Sequence, residues 1–363
     1  MPDLAQQLAD LPEETRRRLH EYGFDPDWFL AQAERLRSPH DNLVRGEIEP
    51  PAPEDVVDLP PRDSDEYRRL LERGEAALAA GEAALVVLAG GMATRMGGVV
   101  KALVEAVEGR TFLDLRLAAH RRLEEKVGRR IPLWLMTSQP TEAPVVEALG
   151  DALDGYHIAT FPQMLSLRLD PAGGLYFDET GAPSEHAPGH GDLPDALERS
   201  GLLDRFIENG GRYITTANLD NLGATLDPAL LAIHMESDAA VTAEVVDKEG
   251  SDKGGIPARL DGRPLILEEF RIPAWFDPSQ VRVFNTNTFH FDAQALADLD
   301  MDWTYFIVEK KVDGGTAIQF ERLINEVASH LDMRFVRVPR NGPESRFLPI
   351  KSSEDLEEKR QAL

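Results

Sequence analysis

Between residues 65 and 247 the chain alternates helix-patterned stretches with short apolar runs that end in glycine or polar residues. This alternation constrains the fold more than any other feature. Parallel strands need a crossover connection, usually a helix, and strands buried on both faces read as continuous apolar runs. Asp65–Ala80, rich in Glu, Arg, Leu and Ala, predicts a helix, and "ALVVLAGG" a buried strand entering a tight turn. The pattern repeats through a helix at Phe112–Val127, a strand in "IPLWLMTS", a helix at Thr141–Leu149 and a strand in "YHIATF". It continues with a helix at Leu193–Glu208, a strand in "RYITTANLD", a helix at Pro228–Glu236 and a strand in "AAVTAEVV". The expected architecture is α/β, a mainly parallel sheet covered by helices on both faces.

The flanks read differently. Residues 1–40 predict amphipathic helices with a break at Gly23–Pro26, and Pro50, Pro51, Pro53, Pro60 and Pro61 predict an extended strap over 41–63, lying on the main domain. After Lys248, "IPARLDGRPLILEEF" alternates around Asp261–Gly262, a hairpin signal. "VRVFNTNTFHF" and "TYFIVEK" add strands, and Ala317–Leu331 reads as a helix. We read this half as mixed strands covering one end of the sheet. The expected division is N-terminal helices and strap at 1–63, one catalytic domain at 64–351 and a helical tail at 352–363.

Composition narrows function. The net charge of -25 argues against nonspecific binding to nucleic acid or anionic membrane. A phosphate site in such a chain must be a local exception, so lysines beside glycines are the place to look. The absence of cysteine excludes disulfides, thiolate zinc sites and cysteine nucleophiles. No apolar run is long enough to span a bilayer, and the first residues lack the apolar core of a signal peptide. The expected location is the cytoplasm, with no membrane partner.

Ligands in open α/β sheets bind outside the carboxyl ends of the strands, which selects the loops after Ala89, Ser138, Phe161 and Leu219. The first, "LAGGMATRMGGVVKALVEA", takes a strand into glycines that can approach phosphate, with Arg95 and Lys101 for charge. It is neither a Walker loop nor a dinucleotide fingerprint, and a plain connecting turn is equally compatible with it. In "HAPGHGDLPDALERSGLLD", Gly189, His190 and Gly191 precede a helix for which Asp192 is a plausible N-cap. A capped helix start is the plainer reading; bare backbone on which a flat base stacks is the functional one. "TTANLDNLGATLDP" places Asn218, Asp220 and Asn221 at a strand end, where a carboxylate suits magnesium shared with phosphate and an Asx turn fits equally. Asn285 and Asn287 fall on one side of an alternating strand, suited to sugar hydroxyls or to satisfied buried amides. Lys310 and Lys311 follow an apolar strand, where solvated charge is the ordinary reading.

Taken together, "GG…T.MG", "PGHGD", "SGLLD", "NLDNLGATLDP", "KGG", "FNTN", "DGG..IQ" and "SRFLPIK" stand in the order found in the eukaryotic-type UTP–glucose-1-phosphate uridylyltransferases (UDP-glucose pyrophosphorylases), and the chain from about residue 85 to 356 resembles that family. The resemblance implies a Rossmann-like sheet of the nucleotide-diphospho-sugar transferase type. It also implies an enzyme joining UTP to a sugar 1-phosphate, glucose 1-phosphate first among candidates, with release of pyrophosphate and with Mg2+ as cofactor. Leu88, Ala89, Gly90 and Gly91 would meet the nucleotide, Lys101 its phosphates, Gln163 and Gly189 the uracil. Asn218 and Asp220 would reach ribose or phosphates, with Asp220 as magnesium ligand. His190 would lie near the sugar phosphate, Glu268 and Asn287 would hold sugar hydroxyls, and Lys310 would bridge the attacking phosphate and the α-phosphate.

The phosphate loop departs from the family's usual "GGLGTSMGCKGPK". Ala93 replaces a glycine, Arg95 a serine and Val99 the first loop lysine, and the stretch before Lys101 is one residue shorter. "GxxTR" is closer to UDP-N-acetylhexosamine pyrophosphorylases, which keeps that sugar as an alternative. Eukaryotic members continue into a C-terminal β-helix; without it a monomer is expected.

Overall fold

The computed structural model describes residues 3–38, 40–93, 97–250, 252–312 and 314–359. Its centre is an eight-stranded sheet. From one edge to the other run strands Val56–Asp58, Met333–Arg337, Val241–Asp247, Val283–Asp292, Tyr213–Asn218, Ala83–Leu88, Leu133–Thr137 and Ile158–Pro162. Every neighbouring pair is parallel except the two made by Val283–Asp292, which runs against the rest. The carboxyl ends of the alternating strands therefore share one edge, where Leu88, Thr137, Pro162 and Asn218 stand side by side.

Alternation of side chains along each strand divides the core in two. Ala84, Val86, Trp134, Met136 and Ile214 face one layer, with Leu193, Leu197, Leu203 and Phe206. Ala83, Leu85, Val87, Leu133 and Leu135 face the other, with Leu78, Phe112, Val145 and Leu149. Helices Asp65–Ala80, Phe112–Val127, Gln139–Leu149 and Pro228–Glu236 form as expected. The helix expected over Leu193–Glu208 is two, Leu193–Ser200 and Leu202–Glu208, because Gly201 sits at φ 68° and turns the chain between them.

The second half departs from expectation. Val283–Asp292 does not cap an end of the sheet; it lies inside it, antiparallel between Tyr213–Asn218 and Val241–Asp247. Ala317–Leu331 is not a helix. Residues Gly315–Glu321 form a strand paired with Phe306–Val312, followed by a 3-10 helix at Ile324–Ser329. The helical spacing of its apolar residues also serves a strand whose buried face is covered. Ile256–Leu260 and Arg263–Leu267 make the expected hairpin, with Asp261 and Gly262 both at positive φ.

The N-terminal region forms three helices, Leu4–Ala9, Glu13–Glu21 and Pro26–Arg35, one break more than expected. Leu8, Leu19 and Phe29 share a small core with Leu165, Leu167, Tyr305, Ile307 and Phe320. The strap pairs as it passes: Ile48–Glu49 joins the 256–260 strand and Val56–Asp58 closes the main sheet. The tail contains helix Ser353–Lys359. No helix among the described residues is long and apolar enough to cross a membrane.

Candidate functional site

Strand Ala83–Leu88 delivers Leu88 and Ala89 to the carboxyl edge between Asn218 and Met136. Ala89 N–H donates to the Met136 carbonyl at 2.8 Å, and the Ser138 hydroxyl to the Gly90 carbonyl at 2.8 Å. Gly90 lies so close to the Gln163 side-chain amide that a Cβ there would collide with it. The turn folds back as the Met92–Ala93 and Val99–Val100 pair, Lys101 N–H donates to the Gly91 carbonyl at 3.2 Å, and the Lys101 Nζ reaches the Asp220 carboxylate. Lys101 and Asp220 are mostly buried, with side-chain exposures of 18% and 15%. Arg95 lies outside the described residues.

Asp220 belongs to a turn held from two sides. From below, the buried Arg116 of helix Phe112–Val127 donates to the carbonyls of Asn218, Asn221 and Ala224. From the other side, Ile350 N–H donates to the Asp220 carbonyl at 3.2 Å, and the Asn221 amide exchanges hydrogen bonds with the Arg346 carbonyl at 3.1 Å and Leu348 N–H at 2.8 Å. The "SRFLPIK" segment thus acts as a brace for the carboxylate loop. Burial pulls the Arg116 guanidinium down to about 10, against the pull of Asp220.

The base-side loop is fastened differently. Gln163 is buried, its N–H donates to the Thr137 carbonyl at 2.9 Å, and its side-chain Oε1 has no hydrogen-bond partner among the described residues. Asp192 does not cap the helix that follows it, contrary to expectation. Its fully buried carboxylate accepts Met164 N–H at 2.5 Å and pairs with Arg199 at 2.8 Å and with Arg322. A buried carboxylate with two arginines in reach, Arg322 buried and Arg199 partly exposed, is worth more there than as a cap. Gly189 is at φ 103° and its carbonyl accepts Asp192 N–H at 3.2 Å. His190 Nδ1 accepts Ile324 N–H at 3.0 Å, so its proton sits on Nε2. Burial, opposed by Glu321, brings its pKa down to about 4 and keeps the ring neutral.

On the sugar side, Asn287 Nδ2 donates to Asn218 Oδ1 at 2.9 Å, joining two elements of the predicted site. The alternation that put Asn285 and Asn287 on one strand side lapses. The pairing slips between Glu244 and Val245, Asn287 adopts φ 60°, and Asn285 Oδ1 accepts Asn287 N–H at 3.0 Å. A bulge of this kind re-aims a side chain within a strand. Glu268 follows strand Arg263–Leu267, close against Gly255 of the "KGG" motif. Burial, aided by Glu326 and Glu269 and opposed by Arg271, pushes it up to about 7. Lys310 is not gathered with Lys101 and Asp220; it pairs with Glu321 at 3.1 Å across the 306–321 hairpin and is 45% exposed.

A cluster of three or more His, Cys, Asp or Glu able to hold a metal does not occur among the described residues. Beside Lys101, at the end of strand Tyr213–Asn218, the carboxylate donor is Asp220. That suits magnesium in its usual nucleotide role, held by one or two carboxylates plus substrate phosphates, and not a site complete in protein ligands. The sequence reading missed Arg116, Ser138, Arg199 and Arg322. Arg116 and Arg199 lie in helices where arginine ordinarily marks a solvated face.

The family model for UTP–glucose-1-phosphate uridylyltransferase matches residues 28–360. UTP–glucose-1-phosphate uridylyltransferase 2 of Dictyostelium discoideum is 31% identical over 298 residues, 76% of this chain and 58% of that protein. The UTP–glucose-1-phosphate uridylyltransferase of Hordeum vulgare is 30% identical over 347 residues, 89% of this chain and 67% of that protein. The chain therefore spans roughly three fifths to two thirds of the length of these relatives. The UDP-glucose phosphorylase of Trypanosoma brucei superposes with a TM-score of 0.74 at 23% identity, covering 97% of this chain and 77% of that one. The UDP-N-acetylglucosamine pyrophosphorylase of the same organism gives 0.72 at 20% identity, covering 94% and 74%. At those identities the two structures speak for the fold alone.

Proposed function

The chain belongs to the UTP–glucose-1-phosphate uridylyltransferase family, and from that membership we propose that it transfers the uridylyl group of UTP to glucose 1-phosphate, giving UDP-glucose and pyrophosphate. One observation carries the reading to the residues. Lys101 and Asp220, separated by 119 positions, meet as an ion pair at the carboxyl edge of the sheet, where an anionic nucleotide would lie.

The chemistry asks little covalently of the protein. A phosphate oxygen of the sugar phosphate attacks the α-phosphorus of UTP, one P–O bond forms, and the bond to the β-phosphate oxygen breaks with pyrophosphate leaving. Catalysis is then positioning and charge neutralisation. The backbone of 88–91 offers close approach to the nucleotide, and the buried Gln163 Oε1, without a hydrogen-bond partner among the described residues, supports a base-reading role. Lys101 brings its charge to the phosphates, and Asp220 beside it offers a carboxylate to magnesium. Magnesium, when bound there, supplies charge neutralisation on the triphosphate oxygens. The Asn287 amide and the Glu268 carboxyl suit sugar hydroxyls, and the neutral His190 can donate from Nε2 towards a phosphate. To bridge the reacting phosphates, the Lys310 side chain exchanges its contact with Glu321 for one with substrate.

Pyrophosphate release from UTP tests this directly, with glucose 1-phosphate, N-acetylglucosamine 1-phosphate or galactose 1-phosphate as acceptor, with and without magnesium. The expected result is magnesium-dependent release that is fastest with glucose 1-phosphate. No release with any acceptor refutes the activity; a faster acceptor than glucose 1-phosphate refutes the sugar.

A further inference from the structure

Arg116 is a buried cation that makes no ion pair with a carboxylate among the described residues. Burying a guanidinium without a counter-ion is expensive, and proteins retain such a group where its hydrogen bonds organise something. Here they organise one turn. The carbonyls of Asn218, Asn221 and Ala224 converge on its two terminal nitrogens, while its Nε is left without a partner. The turn that these carbonyls outline is the one that presents Asp220 to Lys101.

We propose that Arg116 is a positioning residue for the uridylyl transfer: its guanidinium holds the 218–224 turn so that the Asp220 carboxylate faces the nucleotide phosphates and the metal they carry. The proposal rests on the uridylyltransferase reading. Three observations separate it from a general packing role. Among the described residues, every hydrogen bond of the guanidinium goes to this one turn and none to the helices around it. The turn also carries a second brace, the Ile350 and Leu348 N–H groups and the Arg346 carbonyl, so a change at Arg116 removes one of its two holds and leaves the other in place. The guanidinium also adds a positive charge near enough to Asp220 to interact with its carboxylate, in a strongly acidic chain. A lysine at 116 would keep the charge but cannot span three carbonyls, because its donors radiate from a single nitrogen.

The test uses the full chain with Arg116→Met and Arg116→Lys. Steady-state rates are measured against magnesium at saturating UTP and sugar phosphate, with thermal melting as a check on folding. Calorimetric titration of UTP, at low and at saturating magnesium and without sugar phosphate, supplies a readout independent of turnover. We expect Arg116→Met to raise the magnesium concentration for half-maximal rate by about 10–100-fold, the range typical of groups that orient a metal ligand. UTP affinity should fall at low magnesium and recover at saturating magnesium, and Arg116→Lys should lie between. An unchanged magnesium requirement in both variants overturns the proposal. So does a loss of rate that only tracks the fraction of folded protein. Should Arg116→Met fail to fold, Arg116→Lys decides by the same criterion. If the native chain releases no pyrophosphate at all, the uridylyltransferase reading fails, while the magnesium dependence of UTP titration still judges the role of Arg116.

Discussion

Lys101 and Asp220 were both legible as candidates because each stands in a motif whose residue types suit phosphate, glycines before one and a strand end before the other. Their contact follows from neighbouring parallel strands, Ala83–Leu88 beside Tyr213–Asn218, which bring the two loops to one edge. Lys310 was legible by its motif but rests on Glu321. Lys310→Ala should therefore lower kcat by about 10²–10³-fold, the scale of losing one charge-stabilising donor, with a much smaller change in UTP affinity; equal losses in both would assign it to binding instead. Glu268 shows a property that no sequence pattern carries, since its elevated pKa depends on Glu326 and on burial against Gly255. Held at about 7 against an ordinary 4.5, it keeps its proton in the fold where the unfolded chain has lost it. Its contribution to stability therefore falls as pH rises from 4.5 towards 7. If the ionised form receives the sugar hydroxyls, KM for sugar 1-phosphate should fall as pH rises through 7, and Glu268→Gln should flatten that profile. A native profile that is already flat would remove the role.

At the scale of elements, apolar periodicity served the alternating half well and the second half poorly. Asp65–Ala80, Phe112–Val127 and Pro228–Glu236 begin and end where the sequence pattern places them, each with a capping residue ahead: Ser64, Thr111 and Asp227. The pattern failed at Ala317–Leu331 because a strand with one covered face and a short helix share apolar spacing over so few residues. It failed at Asn285–Asn287 because a bulge resets alternation, and only the partner strand reveals a bulge. Gly201 was passed over inside a helical run. Its φ of 68° is the whole reason for the break, since no neighbouring atom crowds the position. Gly201→Ala should therefore destabilise by about 1–2 kcal/mol, the cost of a left-handed conformation for an L-residue, measured by urea unfolding. A stabilising effect would mean that the two helices merge without harm.

Across the whole molecule, one buried polar network joins elements far apart in the chain. Glu244 in the sheet centre accepts from Arg346 Nε at 2.7 Å and meets His290 at 3.1 Å, and His290 Nδ1 meets the Thr215 hydroxyl at 2.9 Å. Burial works upward on Glu244, but Arg346 and His290 outweigh it and hold its carboxyl down at about 2. The pair's contribution is thus complete above pH 4.5 and lost as pH falls towards 2. Glu244→Leu removes the closest counter-ion of the buried Arg346, leaving it the Thr225 carbonyl and a 3.9 Å contact with Asp227, and should cost about 3–5 kcal/mol, read from chemical denaturation at neutral pH, with a flatter acid limb than the native chain. A loss below about 1 kcal/mol would show that Asp227 and Thr225 suffice for Arg346. The sequence by itself determined the alternating α/β plan, the strand edge at which chemistry belongs, and the motif residues that resemble a uridylyltransferase, because these depend on local periodicity and on residue type. Only the tertiary structure decided that Val283–Asp292 runs inside the sheet, that Asp192 anchors a loop instead of capping a helix, and that Arg116 sits beneath Asp220. Those outcomes depend on which groups share a dry interior, where each buried charge must find partners from elsewhere in the chain, and spacing along the sequence carries no record of that meeting.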